Sequence, residues 1–302
     1  MTNTERLKVM QGSEYEAGSI DEKVQRKLLK AKAMGVTEFI LDNGVYAIEE
    51  NGIILTKVTE GTEEFEIPEF CTGFKIERKL STAFSTAFCD CKKIKLRNKS
   101  NITNFDELFT GCVEIEYIDL SEFDTSKVVS MERMFDYCIG VSKIDVSGFD
   151  TTNVKNMRCM FSNCWELQEV NFGNNFTTRN TDYLWWMFKN CYRLRNVAGL
   201  KLDLGEAINI NNMFLNCHSL EEIDLSATRF AKDVHAQCMF YGCNMLKRVD
   251  LSNLGNGPYD TRFQNMFYGC DALEEIILPK EMDSELQTNF GLHSGCKIII
   301  KG

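Results

Sequence analysis

The segment Met213–Ser226, MFLNCHSLEEIDLS, decides how the chain is read, because near copies of it recur along most of the sequence. MFDYCIGVSKIDVS starts at Met134, MFSNCWELQEVNFG at Met160, MFYGCNMLKRVDLS at Met239 and MFYGCDALEEIILP at Met266. With LFTGC and MFKNC included, the motif phenylalanines are Phe109, Phe135, Phe161, Phe188, Phe214, Phe240 and Phe267, spaced 26 or 27 residues apart. A unit of that size cannot bury its own apolar face, so a fixed period means that each copy covers the next. The expected architecture is a repeat solenoid, with one coil per repeat, made of short parallel strands joined by turns or short helices.

Other columns follow from the same register. Ile118, Ile144, Val170, Val197, Ile223, Val249 and Ile276 should line the inside of the strands, since LEEIDL and KIDV alternate apolar and polar residues. Cys91, Cys112, Cys138, Cys164, Cys191, Cys217, Cys243, Cys270 and Cys296 hold one further register. A small apolar residue suits such a column, and an odd number of thiols in a chain of this length without an export signal reads as a reduced ladder rather than a disulfide framework. Cys159 and Cys238 share another register three coils apart, too far to bridge, and read as free thiols.

Residues 1–65 read as an N-terminal cap. Ser19-Ile20-Asp21-Glu22 matches a capping box, and Ile20, Val24, Leu28 and Ala31 then recur at helical spacing until Gly35. Asp42-Asn43-Gly44 and Glu50-Asn51-Gly52 separate FILD, VYAIEE and IILTKV into a three-stranded meander. Residues 66–302 form the solenoid, starting at EIPEFCTGF, with a C-terminal cap from about residue 281. The last strand, within Cys296–Ile300, presents an edge suited to end-to-end homodimerisation, unless Glu281–Leu292 covers it.

MFDYCIGVSKIDVSGFDTTNVKNMRCMFSNC, Met134–Cys164, resembles the leucine-rich repeats of BspA-type bacterial surface proteins, with their Met-Phe-x-x-Cys, Asp-Leu-Ser and Phe-Asp-Thr-x-x-Val elements. EIPEFCTGF resembles the Ile-Pro variant of the same repeats. The resemblance runs from about Glu66 to Gly302. It implies a leucine-rich-repeat solenoid, to which the segment before it adds a small α+β cap, and a protein that binds other macromolecules, often at a cell surface.

Composition limits the partner. A net charge of −10 and a pI near 5.0 argue against direct nucleic-acid binding, which needs a concentrated basic surface. Residues 1–18 lack the apolar core of a signal peptide and no segment is apolar for long enough to span a membrane, so the expected location is cytoplasmic. Chemistry is sparse: His218, His235 and His293 are scattered, and no glycine-rich phosphate loop is present. Cys71, Cys89, Cys91 and Cys112 come nearest to a metal site, but their spacing fits no zinc module. No enzyme activity, cofactor or metal is expected.

Two surfaces are candidates for a partner. Asp119, Asp145, Asp224 and Asp250 follow the inward residue of their strands and should form an outward row, continued by Asn171 and flanked by Glu221 and Glu222. Stacked carboxylates repel unless something answers them, either turn amides or a basic partner. The second surface is aromatic. Trp165, Tyr192 and His218 follow successive ladder cysteines and should stack on one edge, while Trp185 and Trp186, with Tyr183 nearby, fill registers that other coils leave small or polar. Clustered Trp and Tyr suit the centre of an interface, unless Asn171–Leu184 folds over them.

The function expected is non-enzymatic binding of a protein partner on this acidic and aromatic surface. One alternative is an intracellular inhibitor, such as a phage-encoded antagonist of host defence, that blocks a basic nucleic-acid-handling enzyme. The other is an exported adhesin or glycan binder, for which the glycosylation-type triplets at Asn98, Asn101 and Asn175 would matter.

Overall fold

The computed structural model describes residues 35, 38–41, 44–49, 52–58, 60–67, 71–74, 77–79, 83–85, 88–98, 102–200, 202–205, 207, 209–225, 228–231, 234–254, 261–280 and 288–301. The helix expected after Ser19 lies outside them, as do Asp42, Asn43 and residues 281–287. From β4 (Glu64–Ile67) onward the described residues are mostly a parallel β-solenoid with almost no helix, its coils following the period of the motif phenylalanines.

The strands are β1 (Glu38–Leu41), β2 (Gly44–Glu49), β3 (Gly52–Val58), β4 (Glu64–Ile67), β5 (Cys71–Phe74), β6 (Glu77–Lys79) and β7 (Ala83–Ser85) in the first part of the chain. They continue as β8 (Lys93–Asn98), β9 (Tyr117–Asp119), β10 (Lys143–Val146), β11 (Glu169–Phe172), β12 (Arg248–Asp250), β13 (Glu275–Leu278) and β14 (Lys297–Ile300). The three-strand meander is present: β1, β2 and β3 pair antiparallel, and β5 adds to β3 in parallel. β4 instead joins the solenoid sheet, whose order is β11-β10-β9-β8-β4. The cap sheet and the solenoid sheet thus interleave between Glu64 and Phe74.

Registers within the solenoid follow the repeat. Ile94, Ile118, Ile144 and Val170 pair in one inward row. Beneath them the motif phenylalanines form an unbroken ring stack: centroids from Phe109–Phe135 through Phe240–Phe267 lie 5.1–5.5 Å apart with planes within 8° of parallel. All are buried. Each is worth roughly 1.5–3 kcal/mol of burial, plus the stacking contacts. At the end of the column Phe290 packs edge-on against Phe267, and the Phe267 amide donates to the Phe290 carbonyl. Residues 288–290 therefore close the stack.

The Met-Phe-x-x-Cys segments are turns laid one on another. Phe135, Phe161, Phe188 and Phe214 each donate an amide hydrogen at 2.8 Å to the carbonyl of the Met before the next coil's Phe. Holding the turn flat against its neighbour needs left-handed residues two positions either side of the Phe. Glu107, Arg133, Cys159, Trp186, Asn212, Cys238 and Asn265 have φ of 53–62°, and Tyr137, Asn163, Asn190 and Asn216 share this conformation with Gly111, Gly242 and Gly269. Asn and Gly are the residues that adopt it at least cost.

The cysteine column has a polar task as well as an apolar one. The Sγ–H of Cys138, Cys164, Cys191, Cys217, Cys243 and Cys270 donates at 3.0–3.2 Å to the carbonyl oxygen of the Phe one coil back. Burial raises the pKa of these thiols, that of Cys270 to about 12, which keeps them protonated as donors. None of the described cysteines is in a disulfide.

One expectation about the strands is corrected. The five-stranded sheet ends at β11 and a separate sheet, β12-β13-β14, begins three coils later, with only a Glu222–Arg248 bridge leading into it. The coil through Val197 has no strand. Its sequence is Val197-Ala198-Gly199-Leu200 where other coils have Ile-Asp-Leu-Ser or a close variant. Gly199 stands at φ 84°, and the Asn196 carboxamide already accepts from the Ala198 amide, so the chain turns out of the sheet before a strand can form.

Candidate partner-binding site

The outward residues of the strands are held by local bonds first. Asp119 accepts from the Ser121 amide at 3.0 Å and hydroxyl at 2.6 Å, Asp145 from the Ser147 amide at 2.9 Å, and Asp250 from the Ser252 amide at 2.8 Å. Asp-Leu-Ser is therefore an Asx turn that ends the strand. The row reads Lys95, Asp119, Asp145, Asn171 across β8 to β11, and the Asn171 amide donates to Asp145 at 3.0 Å. Burial pushes the Asp145 carboxyl up, but the Ser147 and Asn171 hydrogen bonds win and hold it below its ordinary value. Cations answer the flanking acids: Lys143 pairs with Glu169, Lys247 with Glu221 and Arg248 with Glu275.

The break in the sheet gathers the remaining acids. A cleft of 510 Å³ opens where the strand is missing, lined by Val197, Gly199, Leu202, Glu222, Ile223 and Asp224 among others. A second of 460 Å³ shares Glu222, Ile223 and Asp224 and adds Lys247, Arg248 and Asp250. Thus Glu222, Asp224 and Asp250 come together, whereas Asp119 and Asp145 belong to the other sheet. This cleft was not foreseen; the signal for it is the Gly199 that replaces an inward apolar residue.

Trp165, Tyr192 and His218 meet along one edge, Trp165 tilted against Tyr192 and Tyr192 stacked on His218. Trp165 and Tyr192 have centroids 6.2 Å apart, Tyr192 and His218 5.0 Å apart at 24°, and Trp165 is 41% exposed. The stack follows from their place directly after the ladder cysteines, which point inward and throw the next side chain out. His218 lies in the coil that supplies Glu221 and Glu222.

Trp185 and Trp186 form a different structure, on the other flank of the turn. Their rings stack at 5.0 Å, Arg158 sits 4.4 Å above Trp185, and Lys189 lies 4.5 Å from the Trp186 ring. Glu132 fixes Arg158 through a 2.7 Å ion pair. Both tryptophans are half-buried, with these cations against their faces. Trp186 also sits at φ 62°, an unusual conformation for so bulky a residue. Tyr183 is exposed, in the row of isolated bridges Asn156–Tyr183–Asn209. A pair that sequence reasoning passed over, Tyr241 and Tyr268, stacks at 5.0 Å with Tyr268 54% exposed; two tyrosines in one register were its signal.

Among the described residues, no group of three or more His, Cys, Asp or Glu is placed to hold a metal ion, and no helix is long and apolar enough to cross a membrane. The Cys71 side chain lies outside the described residues.

Residues 187–298 match the BspA type leucine rich repeat region in six copies, so this stretch is similar to BspA-type leucine-rich repeats. Residues 78–199 match the family described as Mycoplasma protein of unknown function, DUF285. Among solved structures the chain is similar to a leucine-rich repeat protein of T. pallidum, at 13% identity and a TM-score of 0.33, over 82% of this chain and 91% of that one. No curated protein matches it. The repeat family and fold are typically non-enzymatic and suggest an interaction or surface-type module.

Proposed function

We propose that the chain is a non-enzymatic module that holds a protein partner on the edge formed by Trp165, Tyr192 and His218, with Glu222, Asp224 and Asp250 as a polar rim. The observation that carries this reading is the ring ladder: three successive coils place stacked aromatic side chains outward, with Trp165 41% exposed. Rigid, exposed aromatic rings are the side chains that contribute most at interface centres. Burial in the core does not account for them. Trp185 and Trp186 form a second contact area already rigidified by Arg158. A cytoplasmic setting is part of the proposal, since the cysteine column works as a set of protonated donors and needs no oxidising compartment. End-to-end pairing through β14, whose Ile300 is 43% exposed, is a separate proposal about assembly.

The test is an affinity capture from source cells with wild type, Trp165→Ala/Tyr192→Ala and Trp185→Ala/Trp186→Ala, each at low and high salt. A protein retained by wild type at both salts and lost by the Trp165/Tyr192 variant is the expected result. A partner retained by both variants and released by salt would move the interface to the acids and favour the inhibitor reading. Retention of nothing would sink the proposal.

A further inference from the structure

We propose that Cys89 and Cys112 are a peroxide-responsive pair that closes to a disulfide and staples the coil of β8 to the coil of β9. Their sulfurs lie 2.8 Å apart, whereas a disulfide bond is about 2.05 Å long, so under one ångström of movement separates contact from bond. The pairing comes from a register anomaly. Cys89 directly follows Phe88, and the corresponding residues of later coils are Thr110, Asp136, Ser162 and Lys189, with no cysteine in that register again. Among the described residues, it is here that a second thiol is in contact with a ladder cysteine.

The pair also differs in access. Cys112 is fully buried, while Cys89 is half-buried and offers a route to a small oxidant. Cys138, Cys164, Cys191, Cys217, Cys243 and Cys270 are buried donors to phenylalanine carbonyls and have no such route. Neighbouring Cys91 is buried, and burial raises its pKa to about 11.

The chemistry balances with hydrogen peroxide as oxidant. The Cys89 sulfur attacks one peroxide oxygen, the O–O bond breaks, and a sulfenic acid and one water result. The Cys112 sulfur then attacks the Cys89 sulfur. The S–O bond breaks, the hydroxide leaves with the Cys112 proton as a second water, and two thiols have been oxidised by one peroxide. The linkage spans 23 residues of chain, so it restricts the unfolded state. It does so one strand in from β4, at the N-terminal side of the solenoid sheet.

The experiment uses the full reduced chain treated with stoichiometric hydrogen peroxide, then alkylated in denaturant, digested and mapped by tandem mass spectrometry without reductant. The expected product joins Cys89 to Cys112, is two hydrogens lighter than the reduced pair, and is absent from Cys89→Ser. Cys89→Ser keeps the ladder intact, so it should fold. Oxidation should raise the thermal midpoint of wild type by several degrees and leave Cys89→Ser unchanged. A Cys89–Cys91 link, Cys89 sulfinic acid beside a free Cys112, or an unshifted midpoint after linkage would overturn the proposal.

Discussion

The turns and the strands belong to the same coils, yet only one of them is continuous. The Met-Phe-x-x-Cys turns stack without interruption from Phe109 to Phe267, through rings, amides and thiols alike. The sheet stops at β11 and resumes at β12. At the break, Phe161, Phe188 and Phe214 remain 5.1 and 5.2 Å apart, so losing a strand does not separate the coils. Cohesion between coils therefore resides mainly in the turns, and the strand face is free to vary. The open cleft lies on the strand face for this reason.

Removing a ring from the continuous side should do the greatest harm. Phe188→Ala leaves a cavity in the middle of the stack and should cost about 3–5 kcal/mol, measured by urea unfolding. A loss below about 1 kcal/mol would mean that the turns are not the main source of cohesion. On the discontinuous side the effect is smaller and its sign can be chosen. Gly199→Ala should cost on the order of 1 kcal/mol, because φ is 84° there. Ala198→Asp/Gly199→Leu/Leu200→Ser, which restores the Asp-Leu-Ser pattern, should instead recover stability, add strand signal in circular dichroism and close the cleft. Failure of the triple variant to exceed Gly199→Ala would show that the break has a cause other than Gly199.

The smallest expected effect concerns the one buried acid in the stacked turns. Asp136 is 2% exposed, receives the Asn163 amide at 2.8 Å and faces Arg133 at 3.2 Å, and Asn190 and Asn216 continue the ladder. Burial raises its pKa above the ordinary 3.8 despite these partners. The folded state thus binds this proton more tightly than the unfolded chain does. That contribution is complete below pH 3.8 and is lost as pH rises through the raised native value. Asp136→Asn removes the titration, so its stability relative to wild type should improve as pH rises from 4 to 7, by less than the Gly199→Ala loss. An equal difference at both pH values would show that Arg133 fully answers the charge.

What was legible in the sequence follows from the same contrast. Phe188 and Cys191 point inward in every copy, so period alone places them and the fold with them. Gly199 breaks the pattern in one residue, and Val197, still in its inward register, masked the change. The covering of Trp185 could not be read at all, because Arg158 belongs to the preceding coil and meets the ring only when coils are stacked in register. Asn212 and Asn265 did mark the left-handed position that Trp186 shares, but their meaning depends on a backbone angle. The ladder of Trp165, Tyr192 and His218 was legible because each ring directly follows a ladder cysteine.

The thiol column also governs what happens after the fold is lost. In the native coils the sulfhydryls of Cys138, Cys164, Cys191, Cys217, Cys243 and Cys270 are proton donors shut away from solvent. In the denatured chain all thirteen cysteines return to ordinary thiols, with pKa values near 8.5, close enough to neutrality to scramble and crosslink in air. Reversibility is thereby tied to reductant: with it the coils can reassemble, and without it a heated sample moves in one direction only, so its apparent melting point depends on how fast it is heated.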